Sequence, residues 1–291
     1  MTATELSPDD WPATGAGHVT SVRADAAAAD GHDPLDEQAA LPLKHHGLTG
    51  SRLWTTGHGF ALLHGEALDL AVAPGARGRG EGTALAAAAS GSGVRTAWSH
   101  GDHPAARALA ARHGFAATRE LWVMRRAVAG PTAEPLPEVP ADAGVRGYRP
   151  DDDSEVLRVN AAAFAHHPEQ GALDAAGLAE RMAEPWFDPA GLLVATADGG
   201  DGAPMLGFHW TKQHSADLGE VYVVAIAPEA QGRGLGRTLT LAGLHHLAGR
   251  GVSEVLLYVE SDNLPARKVY ERLGFTHAAR DTHVQYTRVG G

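Results

Sequence analysis

"VAIAPEAQGRGLGRTLTLAGLHHL", residues 224–247, decides the fold: an apolar run passes Pro228, meets alternating glycines at 232, 234 and 236, and continues directly as an amphipathic helix. A helix start leaves several N–H groups unpaired at the positive end of the helix dipole, and glycines let a ligand reach the backbone. A phosphate is the first ligand such a corner fits. Spacing excludes two common phosphate loops. A Walker A loop needs Gly-Lys followed by Ser or Thr, whereas Gly236 precedes Arg237 and Thr238. A dinucleotide fingerprint needs its third glycine three residues after the second, and here the alternation simply continues. What remains is a variant Q-x-x-G-x-G on Gln231, Gly234 and Gly236, or an ordinary glycine-rich turn in an Ala/Gly-rich chain.

The same pattern occurs earlier. "LAVAPGARGRGEGTALAAAA", residues 70–89, repeats it 154 residues upstream, pairing Pro74 with Pro228, Gly80 with Gly234 and Gly82 with Gly236. A second block, "ARALAARHGF" against "ARKVYERLGF", pairs Gly114 with Gly274 and Phe115 with Phe275 at an offset of 160. Two blocks at nearly one offset make the chain two tandem copies of one domain. Between them "AVAGPTAEPLPEVPADAG" carries four prolines at irregular spacing, which sustains neither a helix nor a central strand. The expected division is therefore a first domain at 1–128, a linker at 129–143 and a second domain at 144–291.

In each copy the order is strand, glycine loop, helix, strand, helix, "GF", strand. That order predicts an α/β fold with a mixed central sheet flanked by helices on both faces. In the second copy helices are expected to begin near Ser154, Gly236 and Leu264. A chain of 291 residues comfortably holds two such cores. The net charge of −11 argues against non-specific nucleic-acid binding and for a small-molecule partner. The absence of cysteine rules out disulfides, thiolate–zinc sites and a cysteine nucleophile. The N-terminal stretch has no secretory pattern and no run is long and apolar enough to span a membrane, so a cytoplasmic monomer is expected. The pairs His45/His46, His166/His167 and His245/His246 lack metal-ligand spacing, and no metal is expected. Trp186, Phe187 and Trp210 are read as core rather than as a sugar-stacking platform.

"YVESDNLPARKVYERLGF", residues 258–275, places Asn263, Ala266, Tyr270, Gly274 and Phe275 at the spacing N-x-x-A-x-x-x-Y-x-x-x-G-F. Together with the glycine loop this resembles the GCN5-related N-acetyltransferase (GNAT) family, which implies an acetyl-CoA pyrophosphate loop and a tyrosine near the thioester sulfur. A phenol of pKa about 10 suits protonation of a departing thiolate whose thiol lies near 8.5, so Tyr270 is the expected general acid. Glu220, on the strand entering the loop, is the expected base, acting through water. Backbone N–H groups near 224–226 are expected to face the thioester oxygen.

The stretches "NAAAFAHHPEQG", "EPWFDPAGLLVA", "LGFHWTK" and "GEVYVVAIAPEAQGRGLG" narrow the resemblance to the two-domain, mycothiol-forming members of the family, which acetylate the cysteinyl α-amine of Cys-GlcN-Ins. The resemblance implies that Glu37, Glu169, Lys212, Glu220 and Tyr258 contact this pseudodisaccharide. It implies acetyl-CoA contacts from Val224, Ala225 and Ile226, from Gln231, Gly232, Arg233, Gly234, Leu235, Gly236 and Arg237, and from Asn263, Leu264, Pro265, Ala266, Arg267 and Lys268. In the first copy the matching positions are Ala71, Val72 and Ala73, then Gly78, Arg79, Gly80, Glu81, Gly82 and Thr83, with Arg77 where the second copy has Gln231. The first copy departs from the pattern: Ala110 stands at the position of Tyr270 and His103 at that of Asn263, while Glu66 matches Glu220. It is therefore expected to bind CoA without turning it over. Two other readings stay open, a tandem acetyltransferase for a different α-amine (an antibiotic or a peptide terminus) and a non-catalytic acyl-CoA sensor. A sensor needs neither Tyr270 nor Glu220.

Overall fold

The computed structural model describes residues 2–140, 144–166, 170–197 and 203–289. Elements follow the chain as β1 (Thr4–Leu6), α1 (Ala16–Asp30), α2 (Glu37–His46), β2 (Ser51–Thr55), β3 (Gly59–His64), β4 (Ala67–Val72), α3 (Glu81–Ala89), β5 (Thr96–Ser99), α4 (Pro104–Arg112) and β6 (Phe115–Ala127). The second half supplies β7 (Val145–Gly147), α5 (Asp153–Ala163), α6 (Ala175–Met182), β8 (Leu192–Thr196), β9 (Met205–Gln213), β10 (Leu218–Ile226), α7 (Leu235–Gly249), β11 (Glu254–Glu260), α8 (Leu264–Arg272) and β12 (Thr276–Arg288). The expected mixed α/β order is present in both halves.

Two compact units emerge, with limits that differ from the contiguous 1–128 and 144–291. Unit 1 is Met1–Trp122 with Glu260–Asp262 and Ala278–Gly291, and unit 2 is Val123–Val259 with Asn263–His277. The reason lies in the short β5. It shares a parallel ladder of only two residues with β4, Ala67↔Thr96 and Leu68↔Ala97. Its other edge is filled by the end of the chain, β12, which pairs antiparallel with it from Val284↔Ser99 to Thr287↔Thr96. The last strand thus counts with the first unit.

Unit 1 orders its strands β1-β2-β3-β4-β5-β12, followed by the first part of β6. Period-2 alternation divides its core between two faces. Leu53, Phe60 and Leu62 pack with Val19 and Val22 of α1, while Trp54, Ala61 and Leu63 pack with Leu85 and Ala89 of α3. Unit 2 orders its strands as the end of β6 and then β11-β10-β9-β8-β7. Here Phe208 and Trp210 of β9 meet Val156 and Val159 of α5 and Leu178 of α6 on one face. The linker stays close to this unit: Val128 and Ala129 donate to the Ser253 carbonyl, and His245 Nε2 to that of Pro137 at 2.8 Å.

On the other face of β9, His209 is fully buried and its Nδ1 donates to the Leu239 carbonyl of α7 at 2.8 Å. The helix comes this close because Gly243 has no side chain; a Cβ there would stand 2.0 Å from the ring. Burial pushes the imidazole from its usual 6.5 down to about 4. A depressed pKa stabilises the fold only while the ring is neutral in both states. That contribution is complete above pH 6.5 and is lost as pH falls toward 4, at about 1.4 kcal/mol per unit. Urea unfolding between pH 7 and 4 should show this slope, and His209→Gln should lack it.

Candidate active site

In unit 2, β10 and β11 run together and then part. Their parallel ladder extends from Leu218↔Glu254 to Val221↔Leu257, whereas β10 stays paired with β9 as far as Ile226↔Gly207. The Ala227 N–H donates to the Leu206 carbonyl. By antiparallel alternation Ala225 also spends its N–H on β9, and Val224 and Ile226 turn theirs toward the edge that β11 has left. Two of the three residues expected at an oxyanion therefore present a donor there. A bulge between Val221 and Val223 sets Tyr222 out of register and re-aims the strand.

The glycine loop follows a short turn at Pro228–Ala230. Gly232 (φ 77°) and Gly234 (φ 82°) lie in the left-handed region that side chains avoid. Gly234 caps α7, so the N–H groups of Leu235, Gly236 and Arg237 open the helix without intrahelical acceptors. A Cβ on Gly236 would meet nothing closer than Ile226 Cγ1 at 3.9 Å, so only two of the three glycines are demanded by the backbone. Arg233 and Arg237 are exposed beside the loop. Asn263 is the N-cap of α8, its side chain accepting from the Ala266 N–H at 3.2 Å.

Further along α8, Tyr270 is half-buried with its ring edge-on to Phe275 at 5.9 Å. Desolvation alone pushes its phenol up to about 12. Glu220 on β10 is 6 % exposed, lies opposite Lys212 of β9, and bonds His214 Nε2 at 2.6 Å. The Lys212 ammonium rests over the rings of Trp186 (4.6 Å) and Tyr222 (5.1 Å). Trp210 takes Phe187 and Tyr222 edge to face and Trp186 at a tilt, and Trp186 also meets Tyr222 edge to face, as core residues do. Tyr258 of β11 is 43 % exposed. Glu37 opens α2 in unit 1, and Glu169 lies outside the described residues.

Unit 1 reproduces the loop but changes its chemistry. Gly78 (φ 74°) and Gly80 (φ 90°) repeat the left-handed pair, and Gly80 caps α3. They border a cleft of about 530 Å³ lined by the loop, β5 and α4. The Ala73 N–H is taken by the His58 carbonyl, so alternation turns Leu70 and Val72 outward, and the true counterparts of 224–226 are 70–72 rather than Ala71, Val72 and Ala73. Arg77 is committed to Asp30 (2.6 and 2.7 Å) and to the Val72 carbonyl. Glu81 is buried and bonded by Thr56 and His58, which hold its carboxyl below the usual range despite desolvation. Glu66 does not reproduce Glu220: it sits exposed in the β3–β4 turn, paired with Arg95. The hairpin is shorter here, so the offset that aligns the loops places residue 66 before the strand begins.

Two features escaped sequence reasoning. One is His214, whose only signal is its place two residues beyond Lys212. The other is a buried imidazole chain in unit 1: His100 Nδ1 lies 3.0 Å from His283 Nδ1, and His283 Nε2 lies 3.4 Å from His32 Nδ1. Its members come from three separated stretches of sequence. Among the described residues no cluster of three or more His, Asp or Glu has metal-holding geometry.

The Acetyltransferase (GNAT) family model matches residues 161–275. A mycothiol acetyltransferase of a Nocardioides species is 59% identical over 96% of this chain and 100% of its own. One from Nocardia farcinica is 50% identical over 90% of this chain and 91% of its own. In fold, the chain is similar to a tandem GNAT protein from the clavulanic acid biosynthesis pathway, with TM-score 0.67 and 20% identity over 98% of this chain and 97% of that one. The chain belongs to the mycothiol acetyltransferase family of GNAT enzymes and is an acetyltransferase of mycothiol synthesis.

Proposed function

We propose that unit 2 transfers the acetyl group of acetyl-CoA to the cysteinyl α-amine of Cys-GlcN-Ins by direct attack on the thioester. The observation that carries this reading is the parting of β10 and β11 beside a glycine-capped helix start, with Glu220 buried on the same strand. Pyrophosphate fits the open N–H groups at 235–237, because anions are favoured at a helix start. The acyl arm then lies in the gap between strands, where the Val224 and Ile226 N–H groups donate to the carbonyl oxygen as it gains charge. Glu220, directly or through water, takes the proton of the attacking amine. An α-amine of pKa about 8 makes a single carboxylate adequate, which a lysine side chain near 10.4 would not. Tyr270 gives its proton to the departing thiolate. Its elevated pKa, about 12, keeps that proton in place at every working pH.

The test is acetyl transfer to Cys-GlcN-Ins by the purified protein, with free cysteine, glucosamine and an aminoglycoside as comparators. Cys-GlcN-Ins should give the highest kcat/KM. Faster acetylation of any comparator overturns the substrate assignment, and CoA binding without transfer to any amine favours a sensor. Glu220→Gln should lose about 10²-fold or more in rate near pH 6.5, where the amine is protonated, and recover toward pH 9. A deficit equal at all pH values assigns Glu220 to substrate positioning.

A further inference from the structure

Glu220 poses a problem of proton traffic. A carboxylate 6 % exposed has little water to which it can return a proton after each turnover. His214 bridges that gap, with a side chain 34 % exposed and Nε2 at 2.6 Å from Glu220 Oε2. The hairpin fixes this contact. Gln213 lies opposite Gly219 and Lys212 opposite Glu220, so His214 falls opposite Leu218, one diagonal step from Glu220 on the same sheet face. The His214 N–H donates to the Leu218 carbonyl at 2.9 Å, closing the turn. Ser215 Oγ accepts from the Asp217 and Leu218 N–H groups at 3.2 and 3.1 Å. From the opposite face Arg250 holds the Gln213 side chain at 3.0 Å.

Resting on the catalytic reading above, we propose that His214 is the proton outlet of Glu220, a positioning residue that carries the amine's proton from the buried carboxylate to solvent. The amine N–H bond breaks as an O–H bond forms on Glu220. In the Nδ1–H tautomer Nε2 accepts that proton along the hydrogen bond, which restores the carboxylate and leaves an imidazolium whose Nε2–H now donates to it. The imidazolium releases its Nδ1 proton to water, and exchange with solvent resets the ring. One proton leaves through His214 and one returns from solvent to Tyr270, which gave its own to the thiolate, so amine and thioester become amide and thiol with no net proton and no redox partner. Imidazole suits the task because it exchanges protons near neutral pH.

The experiment measures steady-state kcat, KM for acetyl-CoA and buffer dependence in His214→Ala and His214→Gln. His214→Ala should lower kcat by about 10- to 10²-fold with an unchanged KM, and added imidazole should restore the rate with saturation. The wild type should be indifferent to buffer. His214→Gln, which offers Glu220 an N–H but relays no proton, should stay slow. A wild-type kcat in His214→Ala, a deficit that no buffer base relieves, or full repair by glutamine overturns the proposal. Glu220→Gln run in parallel separates the two readings: full activity in that variant removes the base assignment itself, whereas a slow Glu220→Gln beside a fast His214→Ala removes only the outlet.

Discussion

Tyr270→Phe is expected to turn over about 10²- to 10⁴-fold more slowly while binding acetyl-CoA nearly as well as the wild type. The substitution removes one oxygen and leaves the ring on Phe275 at its edge-to-face distance of 5.9 Å, so packing is conserved. What disappears is the proton that spares the thiolate from leaving as an anion. Because burial holds the phenol near 12, its ionisation should not shape the rate below about pH 11, and a basic limb in the wild-type profile belongs to another group. The comparison must be made where chemistry limits turnover. An unchanged single-turnover rate in the phenylalanine variant would take Tyr270 out of the mechanism.

Gly234→Val should abolish measurable turnover, and Gly80→Val should not. Both glycines hold positive φ, 82° and 90°, where a side chain costs about 1–2 kcal/mol and a β-branched one more. Relief of that strain moves the helix start, and with it the N–H groups proposed to grip the pyrophosphate. In unit 2 this displaces the thioester from Glu220 and Tyr270. In unit 1 Ala110 has no proton to give, so the same distortion should weaken only the CoA site expected there and touch rate indirectly. Calorimetry should count two CoA sites in the wild type and one in Gly80→Val. A Gly80→Val enzyme that loses all activity, beside a folded Gly234→Val enzyme that keeps it, would overturn the division of labour.

How far the sequence reaches can be judged from individual residues. The duplicated loops were legible because Gly232 and Gly234 answer a backbone demand that recurs at Gly78 and Gly80, so the repeat survives wherever the turn survives. The "GF" blocks were legible for a similar reason: Gly114 (φ 76°) and Gly274 (φ 81°) end two helices in the left-handed region. Glu66 was misjudged because a constant offset assumes hairpins of equal length, and β4 starts at Ala67 while β10 starts two residues before Glu220. The Arg77–Asp30 pair joins residues 47 apart, and the His32–His283 contact residues 251 apart. No local pattern encodes such meetings, since they are products of strand order rather than of spacing. His214 lies between these extremes, six residues from its partner but dependent on a turn whose register the sequence leaves open.

That β12 completes the sheet beside β5 has a consequence for the life of the chain on the ribosome. The strand that β5 needs emerges more than half a chain later, on the order of ten seconds or more at ordinary synthesis rates. During that interval the nascent first unit has an open sheet edge, the surface most prone to pair with a neighbour. The edge is only four residues long, which limits the exposure. A nonsense mutation in the second half that falls before Val284 therefore leaves the first unit without the partner of β5 as well.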